Sequence, residues 1–147
     1  MTYLSKNFTL EELCVTNTGL PNSPNSDEIE KLTALTIYIL QPIRDKFGPI
    51  RISSAYRCDA VNQAVGGKRN SRHRLGTEAD FAPFFGSLDE VFHWCIGNLK
   101  FGQVILEDQD GKNWIHIGLP REGRPNQQAL IFKDGVYHPY TIGEIET

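Results

Sequence analysis

The sequence predicts an α+β fold, a single domain in which helices pack on one face of a mostly antiparallel sheet. Two observations favour this class. Capping signals and helical spacing of apolar residues occur in separate segments between stretches with the alternation of strands. The last third of the chain is rich in short strand patterns, and Asp134-Gly135 is typical of a tight hairpin. All 147 residues, 1–147, are expected to form this one domain.

A short helix and a loop are predicted at the start of the chain. The segment Thr9-Leu10-Glu11-Glu12 has the spacing of a capping box and should begin a helix that ends near Val15. Residues 16–26 are rich in Asn, Pro, Ser and Gly, which is typical of a loop. These N-terminal residues are expected to belong to the same domain as the rest.

A long amphipathic helix is predicted next. Ser26 or Asn25 should cap it, and its apolar stripe extends to about Lys46. Pro42 has no N–H group and should kink the helix near its last turn. Gly48 should end it.

Strand patterns fill most of the remaining sequence. Residues 59–74 are polar and predict a short helix followed by a long loop. Ser87-Leu88-Asp89-Glu90 is a second capping box and should begin a helix that ends near Asn98. The six predicted strands are Ile50–Ser54, Glu78–Pro83, Gly102–Glu107, Trp114–Leu119, Ala129–Lys133 and Val136–Tyr140.

The composition is that of an ordinary globular protein. Hydrophobic residues make up 39% of the chain and charged residues 22%, and the net charge is -3 with a pI of about 5.8. This acidity argues against a nucleic-acid-binding protein, an alternative that rests on the basic stretch 68–74. We expect no nucleic acid partner and no membrane span, because no stretch is long and apolar enough for one.

The N-terminus and the cysteines bear on where the protein is made. Met1–Lys6 lacks the apolar region of a signal peptide, so we expect synthesis in the cytoplasm without a signal peptide. Cys14, Cys58 and Cys95 are widely spaced and form no CxxC pair. We therefore expect reduced thiols, and neither a cysteine zinc site nor a disulfide framework.

Two histidines and one aspartate form a candidate metal site. His73 and Asp80 are seven residues apart, which suits a loop ligand followed by a ligand on the next strand, with Gly76 permitting the turn between them. His116 lies at the centre of a predicted strand, where the scaffold is stiff. Zinc favours imidazole nitrogen and carboxylate oxygen, and catalytic sites use three protein ligands. We expect one Zn²⁺ per chain.

Each of these residues also has a simpler interpretation. His116 is flanked by isoleucines, and such a strand histidine is more often a packed core residue than a ligand. Asp80 could be a solvated carboxylate at a strand edge, and Arg72-His73-Arg74 a solvated basic turn. Taken one at a time, the simpler interpretations are favoured. The metal-site hypothesis depends on the three residues acting together.

Residues 71–80, SRHRLGTEAD, resemble the SxHxxGxAxD signature of the zinc D-Ala-D-Ala carboxypeptidases, D-Ala-D-Ala dipeptidases and phage L-alanyl-D-glutamate endopeptidases. The interval from His73 to Asp80 is that of the signature, whereas the alanine is displaced by one position to Ala79. Residues 53–57, SSAYR, resemble the SxYR segment of this family. The resemblance implies that His73, Asp80 and His116 hold the zinc ion.

The resemblance extends over nearly the whole chain. Trp114-Ile115-His116 is similar to the WxH segment that carries the last zinc ligand, and Asn62 and Gly66-Gly67 also fit the pattern. Residues 8–13, FTLEEL, are similar to the start of the compact phage-type members.

The general base departs from the family pattern. Many relatives have an acid three residues before the last histidine, but this chain has Asn113 there, which cannot accept a proton at a useful pH. Glu107 is the nearest substitute, and the compact branch has a similar glutamate. If Glu107 pairs with Trp114 or with His116 in a hairpin, it lies on the same sheet face as His116, about 5–8 Å away. An even register would place it on the opposite face, where it would be a solvated acid.

Other site residues follow from the resemblance. Arg57 is expected to stabilise the developing oxyanion or to bind a substrate carboxylate, although a surface salt bridge is the simpler interpretation. Ser71 and Trp114 are expected to contact substrate or support a ligand. The basic residues Lys68, Arg69, Arg72 and Arg74 could form a rim that attracts stem-peptide carboxylates, or could simply be solvated.

The family implies a zinc-dependent peptidase whose partners are peptidoglycan peptides, hydrolysed by metal-activated water with Glu107 as base. We expect a monomer that acts on the cell wall after lysis or as part of a phage particle. The alternative is a non-catalytic module that binds the cell wall or a partner through the same fold, with a structural zinc. Asn113 is the feature in favour of that alternative.

Overall fold

Helices and a six-stranded sheet make up the protein, and the structure, a computed structural model, describes residues 1–140. The helices are α1 (Leu10–Leu13), α2 (Ser26–Leu35), α3 (Gln41–Phe47), α4 (Asp59–Ala64) and α5 (Leu88–Asn98), with a π-helical segment at Thr36–Leu40 and a 3₁₀ helix at Arg72–Leu75. The strands are β1 (Ile50–Ser54), β2 (Glu78–Pro83), β3 (Gln103–Gln109), β4 (Lys112–Gly118), β5 (Gln128–Lys133) and β6 (Val136–Pro139). The predicted α+β class is confirmed, and each predicted strand is present with ends shifted by at most two residues.

The strand order is β1-β2-β4-β3-β5-β6, and every neighbouring pair is antiparallel except the parallel pair of β3 and β5. Because side chains alternate across a strand, the register divides the sheet into two faces. One face is apolar and packs in the core with the helices: Phe81, Val104, Ile115 and Ile117 are buried there. The other face carries Asp80, Glu107 and His116.

The long helix predicted to extend to about Lys46 is present as an unbroken helical stretch over residues 26–47. Its middle turn is π-helical: the N–H group of Gln41 donates to the carbonyl of Thr36, five residues earlier. Pro42 follows at the start of α3. Because proline has no N–H to donate and its ring needs space beside the preceding turn, a wider π turn before it relieves the clash. Gly48 ends the helix, with a φ angle of 85°.

Side-chain caps begin three of the five α-helices. Thr9 accepts a hydrogen bond from the Glu12 N–H at 3.1 Å, although α1 ends at Leu13 instead of Val15. Asn25, not Ser26, caps α2, and its reciprocal bonds with Glu28 complete a capping box. Ser87 caps α5.

The segment predicted as a long loop after α4 contains the 3₁₀ helix, which was not expected. Gly76 ends this helix in the left-handed conformation, with a φ angle of 79°. A Cβ atom at Gly76 would also lie 2.9 Å from the backbone oxygen of Glu28. The glycine is therefore needed both for the turn and for its close approach to α2.

Two further predictions concern the described residues. No helix within residues 1–140 is long and apolar enough to span a membrane. Cys14, Cys58 and Cys95 are all free thiols, as the sequence predicted.

Candidate metal centre

The centre of the site is formed by β2 and β4, two neighbouring strands in the interior of the sheet. Their register places Asp80 directly opposite His116 on the face of the sheet away from the helices. His116 Nδ1 lies 2.8 Å from Asp80 Oδ1. Because both residues stand on central strands, the backbone holds this pair in a fixed geometry.

His73 joins the pair from the 3₁₀ helix and is only 4% exposed. Its Nδ1 lies 2.6 Å from the carbonyl oxygen of Ala55 and must donate to it, which leaves Nε2 unprotonated in the neutral ring. Nε2 lies 3.5 Å from Asp80 Oδ2. Ser71 accepts a hydrogen bond from the His73 N–H at 3.3 Å and so helps to fix the turn.

The ligand atoms of His73, Asp80 and His116 all lie within 4.8 Å of one another. Two imidazole nitrogens and one carboxylate oxygen at this separation suit the tetrahedral coordination of a catalytic zinc ion with one open position. The orientation of His73, set by the Ala55 carbonyl, is the arrangement found for ligating histidines. The donor set therefore fits zinc, in line with the sequence hypothesis.

Asp80 and His116 each stabilise the charged form of the other. Burial opposes ionisation of Asp80, but its hydrogen bonds with His116 and His73 outweigh burial and lower its pKa below the usual range. Burial likewise opposes charging of His116, and hydrogen bonds with Asp80 and Glu78 outweigh it and raise its pKa. The site thus carries a stable negative charge on Asp80, as a cation site requires.

Glu107 lies on the same face as the metal-ligand group. It pairs with Trp114 across β3 and β4, which is the register that the sequence argument required. Glu107 lines an open cleft of about 380 Å³ together with His73, Asp80 and His116. Burial, followed by the negative charge of Asp80, raises the pKa of Glu107, and the neighbouring His116 and Trp114 only partly offset this. A glutamate with a raised pKa is suited to proton transfer.

Asn113 is not among the residues that line this cleft. It pairs with Asp108, and the alternation of β4 places it on the other face from His116. It is exposed, and its amide nitrogen, oriented by its partners, donates to Asp108 Oδ1 at 2.8 Å.

Arg57 and Ser71 stand together at the rim of the cleft. Arg57 Nη2 donates to Ser71 Oγ at 3.3 Å, and the Arg57 N–H donates to the His73 carbonyl at 3.0 Å. The buried Nε of Arg57 has no hydrogen-bond partner among residues 1–140. Burial lowers the pKa of this guanidinium, and the charge of Asp80 partly offsets that effect. Arg57 lines the cleft, and the one side-chain hydrogen bond described for its guanidinium goes to Ser71, so further N–H groups can donate to a ligand there.

A protein-family model described as Peptidase M15 matches residues 6–118. The chain belongs to the peptidase M15 family. M15 peptidases are zinc-dependent metallopeptidases, so the family and the N,O,N ligand group indicate the same chemistry. A comparison with curated proteins gave no match.

The basic rim of this M15 chain differs from the predicted one. Lys68 and Arg72 line the cleft, but Arg69 and Arg74 line a separate depression beside α4, where Arg74 Nε pairs with Asp59 at 2.7 Å. Two further arginines reach the cleft from the segment after β4: Arg121 and Arg124. Sequence reasoning missed them because a loop arginine gives no local signal of its tertiary neighbours.

Other sequence candidates take different positions in the M15 fold. Trp114 is not among the described residues that line the cleft, but it lowers the pKa of Glu107 and so partly offsets the effect of burial on that carboxylate. Glu78 and Tyr137 line the cleft although the sequence did not single them out. His93 lies on α5, away from the site, and its Nε2 is 2.6 Å from the Tyr140 hydroxyl. His138 is exposed on β6.

Proposed function

We propose that this M15 chain hydrolyses peptide bonds of peptidoglycan, in stem peptides or cross-links that contain D-amino acids. His73, Asp80 and His116 would hold one zinc ion, and Glu107 would act as general base. The observation that carries the proposal is the convergence of Glu107 with the three potential ligands in one open cleft. An open cleft on the sheet face gives a polymeric substrate access to these groups.

The roles follow from the positions of the side chains. Zinc, when bound, supplies a Lewis acid that polarises the scissile carbonyl and makes the attacking water more acidic. Glu107 accepts the proton of that water and delivers it to the leaving amine, a role for which its raised pKa is suited. His73 and His116 stay neutral when they ligate, and Asp80 supplies negative charge.

Arg57 is proposed to bind the oxyanion or a substrate carboxylate. Its Nε has no partner among the described residues, and Ser71 holds one end of the guanidinium. Lys68, Arg72, Arg121 and Arg124 surround the same cleft with positive charge. Peptidoglycan stem peptides carry free carboxylates, so a basic rim favours their approach.

The alternative is a non-catalytic module that binds the cell wall or a partner, with a structural zinc. Asn113 favoured it because the usual acid is missing. Asn113 is on the other sheet face, however, and Glu107 lines the cleft in its place. A carboxylate beside a three-ligand site supports catalysis over a structural role.

The proposal is tested by digesting purified peptidoglycan with zinc-loaded protein and identifying the new termini by mass spectrometry. We expect new amino and carboxyl ends at bonds that involve D-amino acids, and no cleavage of casein. The Glu107→Gln variant is the matched control, because it should bind zinc without turnover. Cleavage of casein with intact sacculi left undigested would exclude the wall assignment.

The oligomeric state, the place of action and the bond that is cut are further parts of this proposal. The monomeric state, the action after lysis or within a phage particle, and the bond that is cut stay predictions. The mass of the released fragments would identify the bond directly.

A further inference from the structure

Glu78 is a buried carboxylate beside the metal-ligand group that the proposed mechanism does not use. It is only 3% exposed, and its Oε1 lies 3.4 Å from Nε2 of His116. Its Oε2 is buried and has no hydrogen-bond partner in the described part of the chain. A buried charge is costly unless its surroundings compensate it, so its position needs a reason.

The neighbouring strand provides the space for this side chain. Glu78 is the β2 partner of Gly118 on β4. A Cβ atom at Gly118 would overlap the Glu78 carboxylate, so only glycine at this position leaves room for it. The two residues therefore form one unit: a glycine that opens the space and a glutamate that fills it.

Positive charge compensates the buried carboxylate. Arg72 Nε lies 4.0 Å from Glu78 Oε1, and Glu78 also exerts a favourable electrostatic effect on Arg121. These two arginines offset part of the cost of burying the carboxylate, which is only 3% exposed. Such a carboxylate is a strong and well-fixed hydrogen-bond acceptor.

The two histidines of the site present different nitrogens to the centre. His73 gives Nδ1 to the Ala55 carbonyl and turns Nε2 to Asp80. His116 turns Nδ1 to Asp80 and Nε2 to Glu78. Both nitrogens of His116 face a carboxylate, but Asp80 is itself a proposed metal ligand, so Glu78 is the acceptor that is left to hold the ring proton while Nδ1 ligates.

We propose that Glu78 is a positioning residue for His116. It accepts the Nε2–H of His116 and so fixes the tautomer and the ring orientation in which Nδ1 is the metal-binding nitrogen. The inference rests on the proposed zinc site. The family signature quoted above has alanine at the position of Glu78, and in this chain the Glu78–Gly118 pair takes the place of that small residue.

Zinc affinity of the full-length protein, measured by competition with a chelator, is the first test. Glu78→Ala restores the residue of the signature and should weaken zinc binding about 10- to 100-fold, as loss of a partner of a ligating histidine does. Glu78→Gln should lose less zinc affinity than Glu78→Ala, because its amide oxygen still accepts a hydrogen bond from the Nε2–H of His116. Circular dichroism confirms that each variant is folded.

A double-mutant cycle separates this role from general packing. Gly118→Ala leaves the glutamate in the chain but fills its space, so it should weaken zinc binding about as much as Glu78→Ala. Added to Glu78→Ala, it should change affinity by no more than about twofold, because the space is already vacant. If Gly118→Ala alone fails to fold, the zinc affinity of the double variant is compared with that of Glu78→Ala.

Nitrogen-15 NMR of the zinc-loaded protein reports the tautomer directly. We expect the proton of His116 on Nε2 in the wild type and a mixed or altered signal in Glu78→Ala. A wild-type proton on Nδ1, or unchanged zinc affinity in Glu78→Ala, overturns the inference while leaving the zinc site intact. Loss of zinc as complete as in His116→Ala would make Glu78 a ligand and also overturn it. A wild-type protein that binds no zinc overturns the inference and the proposed function together.

Discussion

Glu107 and Trp114 are direct partners across β3 and β4, and this register decides which acid the cleft contains. A shift of β3 by one residue against β4 would turn Glu107 toward the helices, whereas Asn113 faces away from His116 in either register because the two residues are three apart on β4. The observed pairing instead places a carboxylate next to His116 and an amide on the far face. The proposed base therefore depends on strand register as much as on residue type.

The first prediction separates these two residues. Glu107→Gln keeps the volume of the side chain but removes its basicity, so peptidoglycan hydrolysis should fall by about 10²–10⁴-fold while zinc content is unchanged. Asn113→Ala removes an exposed amide on the other face, and activity should change by less than about tenfold. Turnover of defined stem peptides measures both. A fully active Glu107→Gln would show that another group takes the proton.

The second prediction concerns stability of the metal-free protein. Burial raises the pKa of Glu107 above its ordinary 4.5, so the folded state holds this proton more tightly than the unfolded state. Stability is therefore lost as pH rises from 4.5 through the raised pKa, and it stays lost above that range. Glu107→Gln should melt at a higher temperature than wild type at pH 7, and the difference should vanish below about pH 4.

Thermal unfolding followed by circular dichroism across this pH range makes the measurement. Glu30→Gln at an exposed position of α2 is the control for the loss of one carboxylate and should change the melting temperature little at pH 7. A Glu107→Gln protein that is less stable than wild type at pH 7 would contradict the buried, raised-pKa environment.

The third prediction is the metal content. The purified protein should hold about one zinc per chain, and His73→Ala or His116→Ala should each remove tight binding, because two protein ligands do not form a closed site. His138→Ala is the matched control, since this histidine is exposed on β6 and should keep full occupancy. Mass spectrometric metal analysis gives the ratio. Full occupancy in both His73→Ala and His116→Ala would disprove the ligand set.

The fourth prediction concerns Arg57. Loss of a donor to the developing oxyanion costs about 10²–10³ in kcat, so Arg57→Ala should fall in that range if Arg57 binds the oxyanion. If it binds a substrate carboxylate, KM should rise with kcat nearly unchanged. Arg74→Ala is the control: this arginine pairs with Asp59 outside the cleft, and activity should change about threefold or less. Unchanged kinetics in Arg57→Ala would leave its role purely structural.

The fifth prediction uses two glycines with the same φ angle of 79°. Gly111→Ala has nothing within 4 Å of the new methyl group, so it should cost only the left-handed backbone strain, about 1–2 kcal/mol. Gly76→Ala has the same strain and also meets the Glu28 carbonyl at 2.9 Å, so it should cost clearly more. Chemical denaturation compares the two. Equal losses would mean that α2 yields freely at this contact.

Much of the fold and the ligand group could be predicted from sequence because local signals coincided. Caps at Asn25 and Ser87, alternation in the strands and the His73 to Asp80 interval each carry their own information. The π-helical segment could not be predicted, since Pro42 is compatible with a kink or with a wider turn.

The missed site residues share a different cause. Glu78 is a plain acidic residue in a strand until its partner Gly118 is known, and only the β2–β4 register connects them. Arg121 and Arg124 lie after β4, beyond any motif. Their contribution to the cleft depends on how the chain leaves the strand, and a sequence pattern carries no such information.

The proposed ligands come from parts of the molecule that differ in rigidity. Asp80 and His116 stand on central strands, where backbone hydrogen bonds open only with extensive unfolding, whereas His73 is carried by a short 3₁₀ helix between two turns. A metal ion bound to all three residues would therefore cross-link the segment that carries His73 to the sheet. Hydrogen exchange should register this as selective slowing around residues 68–76 upon zinc loading, with β2 and β4 protected throughout. Because Arg57 and Ser71 are hydrogen-bonded to each other and to the His73 backbone, metal binding would also order these two residues at the entrance of the cleft.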